Sequence, residues 1–206
     1  MIVTSVTPEG KRKCKVFLSE GFAFVLYRGE LENYGIEEGG ELEERTYRRI
    51  VEEVLMIRAK DRALYLLQSQ SRPKAQMEKK LTEDGYPAEV VGRVMDFLEE
   101  YRFLDDRAYA EHYVSVNGSR KSRRQMVYEL RQRGIGQEDI DCVLQETPAD
   151  DEQSARALLE KRLKGRNTAS YEEKCRISAY LGRKGYSFDV IQRVMRDISW
   201  EREKDI

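Results

Sequence analysis

The hydrophobic pattern changes its period once along the chain. Residues 2–6 (IVTSV) alternate apolar and polar side chains, and 13–19 (KCKVFLS) and 22–27 (FAFVLY) are rich in β-branched and aromatic residues. Gly10 and Gly21 punctuate these runs, so residues 1–28 predict a small antiparallel sheet. Beyond Gly40 the pattern lengthens. Leu42, Ile50, Val51, Val54 and Leu55 fall near helical spacing, and Gly and Pro retreat to punctuation points, which predicts an almost wholly helical remainder.

That punctuation is periodic. Three segments, 81–98, 130–147 and 181–198, share one pattern: Leu four residues before a glycine (Leu81/Gly85, Leu130/Gly134, Leu181/Gly185), then Tyr86, Ile135 or Tyr186. An acid follows (Glu89, Glu138, Asp189), then an apolar face such as Ile140, Val143 and Leu144. The glycines lie 49 and 51 residues apart. Each glycine predicts a left-handed helix end, the next residue an apolar contact after the turn, and the acid a helix start at the positive end of a dipole. An earlier helix, about 107–116, supplies Tyr109, Tyr113 and Val114 to the middle unit. The predicted fold is mainly α, with tandem three-helix repeats of about 50 residues in an elongated array and a small N-terminal antiparallel β segment. The boundaries read as a β-rich region at 1–45, a linking helix at 46–57, and repeats at 58–106, 107–153 and 154–206.

Composition fits thin cores and much solvated surface: 40% of residues are hydrophobic and 36% charged. Cys14, Cys142 and Cys175 are scattered, and His112 is the single histidine, which disfavours a zinc site. No phosphate-cradling glycine loop or nucleophile elbow occurs, so no catalytic, cofactor or metal residue is assigned. His112 reads as a helix-surface or partly packed residue, and the 12 tyrosines mostly as core. A signal peptide and a membrane span are both missing from the pattern, so the expectation is a soluble, cytoplasmic, monomeric protein. Seven glutamates and no base between Glu30 and Glu44 read as a solvated loop or helix entry.

Charge is balanced overall, 37 basic against 38 acidic residues, but not locally. From Arg120 to Arg133 there are six bases and one acid, Glu129; residues 137–152 carry seven acids and no base. On a helical wheel Met126, Val127 and Leu130 take one side, and Arg120, Lys121, Arg124, Tyr128 and Arg131 the other. Such segregation suggests a directed field toward nucleic acid or an acidic protein groove, with a merely solvated face as the alternative. Arg123 belongs to the same stretch, and Arg72 and Lys74 in SRPKAQMEKK form a weaker counterpart in the first repeat. These eight residues are the candidate binding set.

FLDDRAYAEHYV (103–114), ELRQRGI (129–135) and KGYSFDVIQRV (184–194) resemble the RecX family of bacterial regulatory proteins. The pair Asp105–Asp106 followed by Tyr109–Ala110 and Tyr113–Val114 is the most specific part of the likeness. Departures are Gln70, Gln76–Met77 and Ser122–Arg123, where the family more often has Arg, Glu-Leu and a glycine followed by proline or a similar residue. The resemblance implies a non-enzymatic regulator that lies in the groove of RecA filaments and restrains RecA's ATPase, strand exchange and coprotease activities, with DNA contact in some members. A stand-alone nucleic-acid binder and an interaction scaffold remain open beside it.

Overall fold

The computed structural model describes residues 1–147, 150–164, 168–196 and 199–201, the last three residues and 168–169 by backbone alone. The chain divides into two compact units between Asp105 and Asp106.

In the first unit β1 (Val3–Glu9), β2 (Lys13–Leu18) and β3 (Gly21–Tyr27) form an antiparallel sheet in sequential order. Val6 pairs with Val16, which pairs with Phe24. Ala23, Phe24, Val25 and Leu26 are buried in succession, so β3 is covered on both faces. The short α1 (Arg28–Tyr34) ends at Gly35 in the left-handed region. Next comes one continuous helix: α2 (Glu44–Ile50), a π-helical turn (Val51–Leu55) and α3 (Met56–Ser69). The wide turn was not foreseen. It follows the apolar spacing, since a five-residue turn carries buried Ile50 and Val51 onto buried Leu55 and Met56. Then α4 (Lys74–Glu83) and α5 (Ala88–Glu100) close the first helical repeat. Sheet and repeat share one core, in which Phe24, Leu26, Ile50, Leu55, Leu81 and Leu98 are fully buried.

The second unit holds α6 (Asp106–Asn117), α7 (Arg123–Gln132) and α8 (Gln137–Glu146), then α9 (Asp151–Leu163), α10 (Tyr171–Arg183) and α11 (Phe188–Met195). Two separate cores result. One gathers Met126, Leu130, Ile140, Val143 and Leu144, the other Leu159, Ile177, Leu181, Val194 and Met195. All three repeat glycines are left-handed, with φ of 88°, 87° and 90° at Gly85, Gly134 and Gly185. The next residue's N–H returns to the leucine carbonyl: Tyr86 to Leu81, Ile135 to Leu130 and Tyr186 to Leu181, at 3.1–3.2 Å.

One expectation needs correction. Helical punctuation beyond Gly40 is interrupted by β4 (Thr168–Ser170), which pairs in parallel with β5 (Ser199–Glu201); α10 and α11 form the crossover that a parallel pair requires. Seven of the 12 tyrosines lie in or against the cores as expected, Tyr34, Tyr47, Tyr109 and Tyr180 among them partly buried. Tyr86, Tyr113 and Tyr186 are buried, but Tyr65, Tyr101, Tyr128 and Tyr171 are 58–65% exposed, because a phenol can sit at helical spacing on either side of the wheel.

Candidate functional site

The basic stretch begins in a loop. The N–H groups of Arg120 and Lys121 both donate to the Asn117 carbonyl at 2.9 Å, and the helix starts only after Ser122. The Ser122 hydroxyl caps α7 by accepting from the Gln125 N–H at 3.1 Å. Arg120 and Lys121 therefore do not continue the helical face.

Lys121 turns inward. Its ammonium reaches the Glu129 carboxylate and the Tyr113 hydroxyl, each at 2.7 Å. Tyr113 and Gln125 also donate to Glu129. Partial burial pushes the Glu129 carboxyl up, but the hydrogen bonds from Lys121, Tyr113 and Gln125 outweigh it and bring it down to about 2. Burial would lower the Lys121 ammonium, and the bonds to Glu129 and Tyr113 raise it instead. Arg133 lies over the other aromatic resources of the repeat, 4.6 Å from the Tyr113 ring centre, and bonds the Tyr109 hydroxyl. These groups hold repeat 2 together.

Arg123 also serves the unit itself. Its backbone N–H donates to Asp151 Oδ1 at 2.7 Å and its guanidinium to the Leu144 carbonyl at 3.3 Å. In the first repeat Lys74 pairs with Glu99 at 3.0 Å. Arg72 is half-buried; with the Gln70 amide oxygen facing it, its two Nη atoms donate at 3.0 and 3.3 Å.

Arg124, Tyr128 and Arg131 remain, at spacings of four and three along one face of α7, opposite buried Met126 and Leu130. Tyr128 is 64% exposed. Arg131 donates to the Gln137 side chain at 2.6 Å. Among the described residues, Arg120, Arg124 and Arg131 have no ion-pair partner.

Sequence reasoning missed the other wall. The C-terminal turn of α10 lies beside α7, and Arg124, Gln125 and Tyr128 face Gly182, Arg183 and Lys184 across a groove of about 290 Å³. Two contacts fix it. The buried Ser122 hydroxyl donates to the Lys184 carbonyl at 2.6 Å. A Cβ placed on Gly185 would stand 2.8 Å from Ser122 Oγ and 3.3 Å from Arg124 Cβ. Arg183 is exposed, without an ion pair among the described residues. The only local signal was GRKG at 182–185, which reads as a helix end. A larger groove of about 470 Å³ between α10 and α11 is walled by Phe188, Ile191 and Met195, with two cations, Lys174 and Arg196, in its lining. Among the described residues no group of three potential ligands comes together to hold a metal ion. No helix among them is long and apolar enough to cross a membrane.

Three family models match: the first three-helix domain of RecX at residues 59–98, the second at 105–144 and the third at 150–195. Proteins called "Regulatory protein RecX" are similar over nearly the whole chain. The one from Clostridium acetobutylicum is 27% identical, covering 95% of each chain, and that from Caldanaerobacter subterraneus 29%, covering 95% and 98%. A crystal structure of regulatory protein RecX aligns with 94% of this chain and 98% of its own, at 27% identity and a TM-score of 0.62. RecX from Lactobacillus salivarius shares the fold at 20% identity and a TM-score of 0.57, over 69% of this chain and 95% of its own.

Proposed function

The chain belongs to the RecX family of regulatory proteins, and on that premise we propose that it regulates RecA, binding RecA–DNA filaments in their helical groove and restraining ATP hydrolysis, recombination and coprotease activity. It does so as a binding protein of the cytoplasm, without chemistry of its own. The observation that carries the reading is the Arg124–Tyr128–Arg131 face: cations with no ion-pair partner among the described residues, on the outer side of a helix whose inner side is core. Tandem repeats can present several such contacts, each weak alone and reinforced by tethering.

The test adds the protein to RecA filaments on single-stranded DNA and follows ATP hydrolysis. The rate should fall as the protein is titrated in, with no added cofactor. Arg124→Glu with Arg131→Glu should weaken inhibition while circular dichroism and melting stay near wild type, because neither side chain reaches the core. An ATPase activity of the protein alone, scaling with its concentration in the absence of RecA, or an unaltered RecA rate at saturating protein, would overturn the reading.

A further inference from the structure

We infer that the groove between α7 and the end of α10 is a single-stranded nucleic-acid site, with Arg124, Arg183 and Lys184 taking phosphates and the Tyr128 ring taking the face of a base. Its lining holds three cations and no carboxylate. Gly182 in its lining has open space where a side chain would stand, so at that point a strand can come close to the backbone, while Gly185 packs against Ser122 and the Arg124 stem. Chain segments about 60 residues apart build it, and Ser122 and Gly185 lock them in register.

Tyr128 argues for a planar ligand. Elsewhere in this protein cations lie over tyrosine rings: Arg58 over Tyr27 at 4.6 Å, Arg133 over Tyr113 at 4.6 Å and Arg162 over Tyr180 at 4.5 Å. The ring of Tyr128 stands among cations, yet among the described residues no cation or aromatic ring covers it. A cationic groove with an open aromatic face is the arrangement that binds single strands, phosphates to the charges and bases to the ring. A duplex keeps its base faces stacked and cannot use the ring. An acidic polypeptide would use the charges alone.

This deepens the regulatory reading, since the strand inside a RecA filament would be the ligand in place, but the binding itself is tested without RecA. Fluorescence anisotropy of labelled oligo(dT) is followed against salt for the full chain and its variants. Three phosphate contacts predict a log–log slope near −2, that is about −0.7 per contact. Arg183→Glu should flatten it by about 0.7 or more. Tyr128→Ala should weaken binding about ten-fold with the slope unchanged, and Tyr128→Phe should stay within about two-fold of wild type. Melting of each variant should match wild type, since both side chains are exposed. Equal binding by Tyr128→Ala and wild type would sink the proposal, as would competition by duplex or polyglutamate as strong as by unlabelled oligo(dT). Two mixed results separate the readings. If wild type inhibits RecA but does not bind oligo(dT), the groove assignment falls and the regulatory function stands. If oligo(dT) binds with the predicted variant pattern and RecA is unaffected, the groove stands and the RecA reading falls.

Discussion

Gly85 and Gly185 end equivalent helices with almost the same backbone, φ 88° and 90°, yet they face opposite chemistry. A Cβ on Gly85 would stand 2.4 Å from Val25 Cγ2, with Phe22 next nearest among the side chains. The same atom on Gly185 would meet Ser122 Oγ and the Arg124 stem. The first repeat is thus pressed onto the N-terminal sheet through apolar side chains and shares a core with it. Repeats 2 and 3 keep separate cores and meet through a seam of directed bonds, Ser122 to Lys184 and Arg123 to Asp151. The glycine that closes a helix also allows a close approach, and the neighbour decides what that approach is for. Burial in the first unit builds bulk stability; bonds in the second fix register and leave polar surface beside it for binding.

The sharpest way to break this contrast is Gly85→Ala. Left-handed strain of about 1–3 kcal/mol and overpacking against Val25 of about 1–3 kcal/mol should combine. Urea unfolding, with hydrogen exchange read over residues 1–105, should show the sheet and repeat 1 destabilised together. Adding Val25→Ala should cost less than the sum of the single changes, because it removes the clash. Additive effects would show that the close approach is not energetically real.

The equivalent leucines compare the cores directly. Leu81→Ala and Leu130→Ala each empty a fully buried site and should cost about 2–5 kcal/mol. Loss of exchange protection should spread from Leu81 into β2 and β3, and from Leu130 remain within α6–α8. Spread of the Leu130→Ala effect through α9–α11 would mean that repeats 2 and 3 are one core after all.

Ser122→Ala probes the seam at lower cost, about 1–3 kcal/mol, from the lost cap and the Lys184 carbonyl left without its donor. The position twelve residues before the glycine in repeat 1 is Pro73, which offers no side-chain cap, so the first unit has no counterpart to lose. Oligo(dT) binding should weaken in step, because the same bond sets the groove.

Glu129→Gln gives the smallest effect. The folded carboxyl lies near 2 against a usual value of 4.5, so the ionised form stabilises repeat 2 above about pH 4.5 and that share is lost as pH falls toward 2. With the side chain 25% exposed, the difference from wild type at neutral pH should be of order 1–2 kcal/mol and vanish on acidification. A pH-independent difference would mean that Glu129 acts by packing rather than by its charge.

Much of this was legible in the sequence because it is local. The leucine-to-glycine spacing, the left-handed caps and the buried faces at Met126/Leu130 and Ile140/Val143/Leu144 are set by backbone sterics and by helical period, which act within about ten residues. The strands at 13–18 and 22–27 follow from their β-rich composition and the glycine turns. The fate of each cation is not set by helical period. Lys121 looked exposed on a wheel and is bound by Tyr113 and Glu129; Arg183 looked like an unremarkable helix end and lines a groove with Arg124. A helical wheel describes one helix against solvent, whereas Ser122 and Lys184 meet across 62 residues, a pairing that only close packing of two repeats brings about. Sequence alone determined the repeats and their cores, because chain sterics and hydrophobic period repeat with them. Tertiary structure alone decided which charges are neutralised within the fold and which face outward, because that depends on which groups stand within about 4 Å of each side chain, the range over which an ion pair forms.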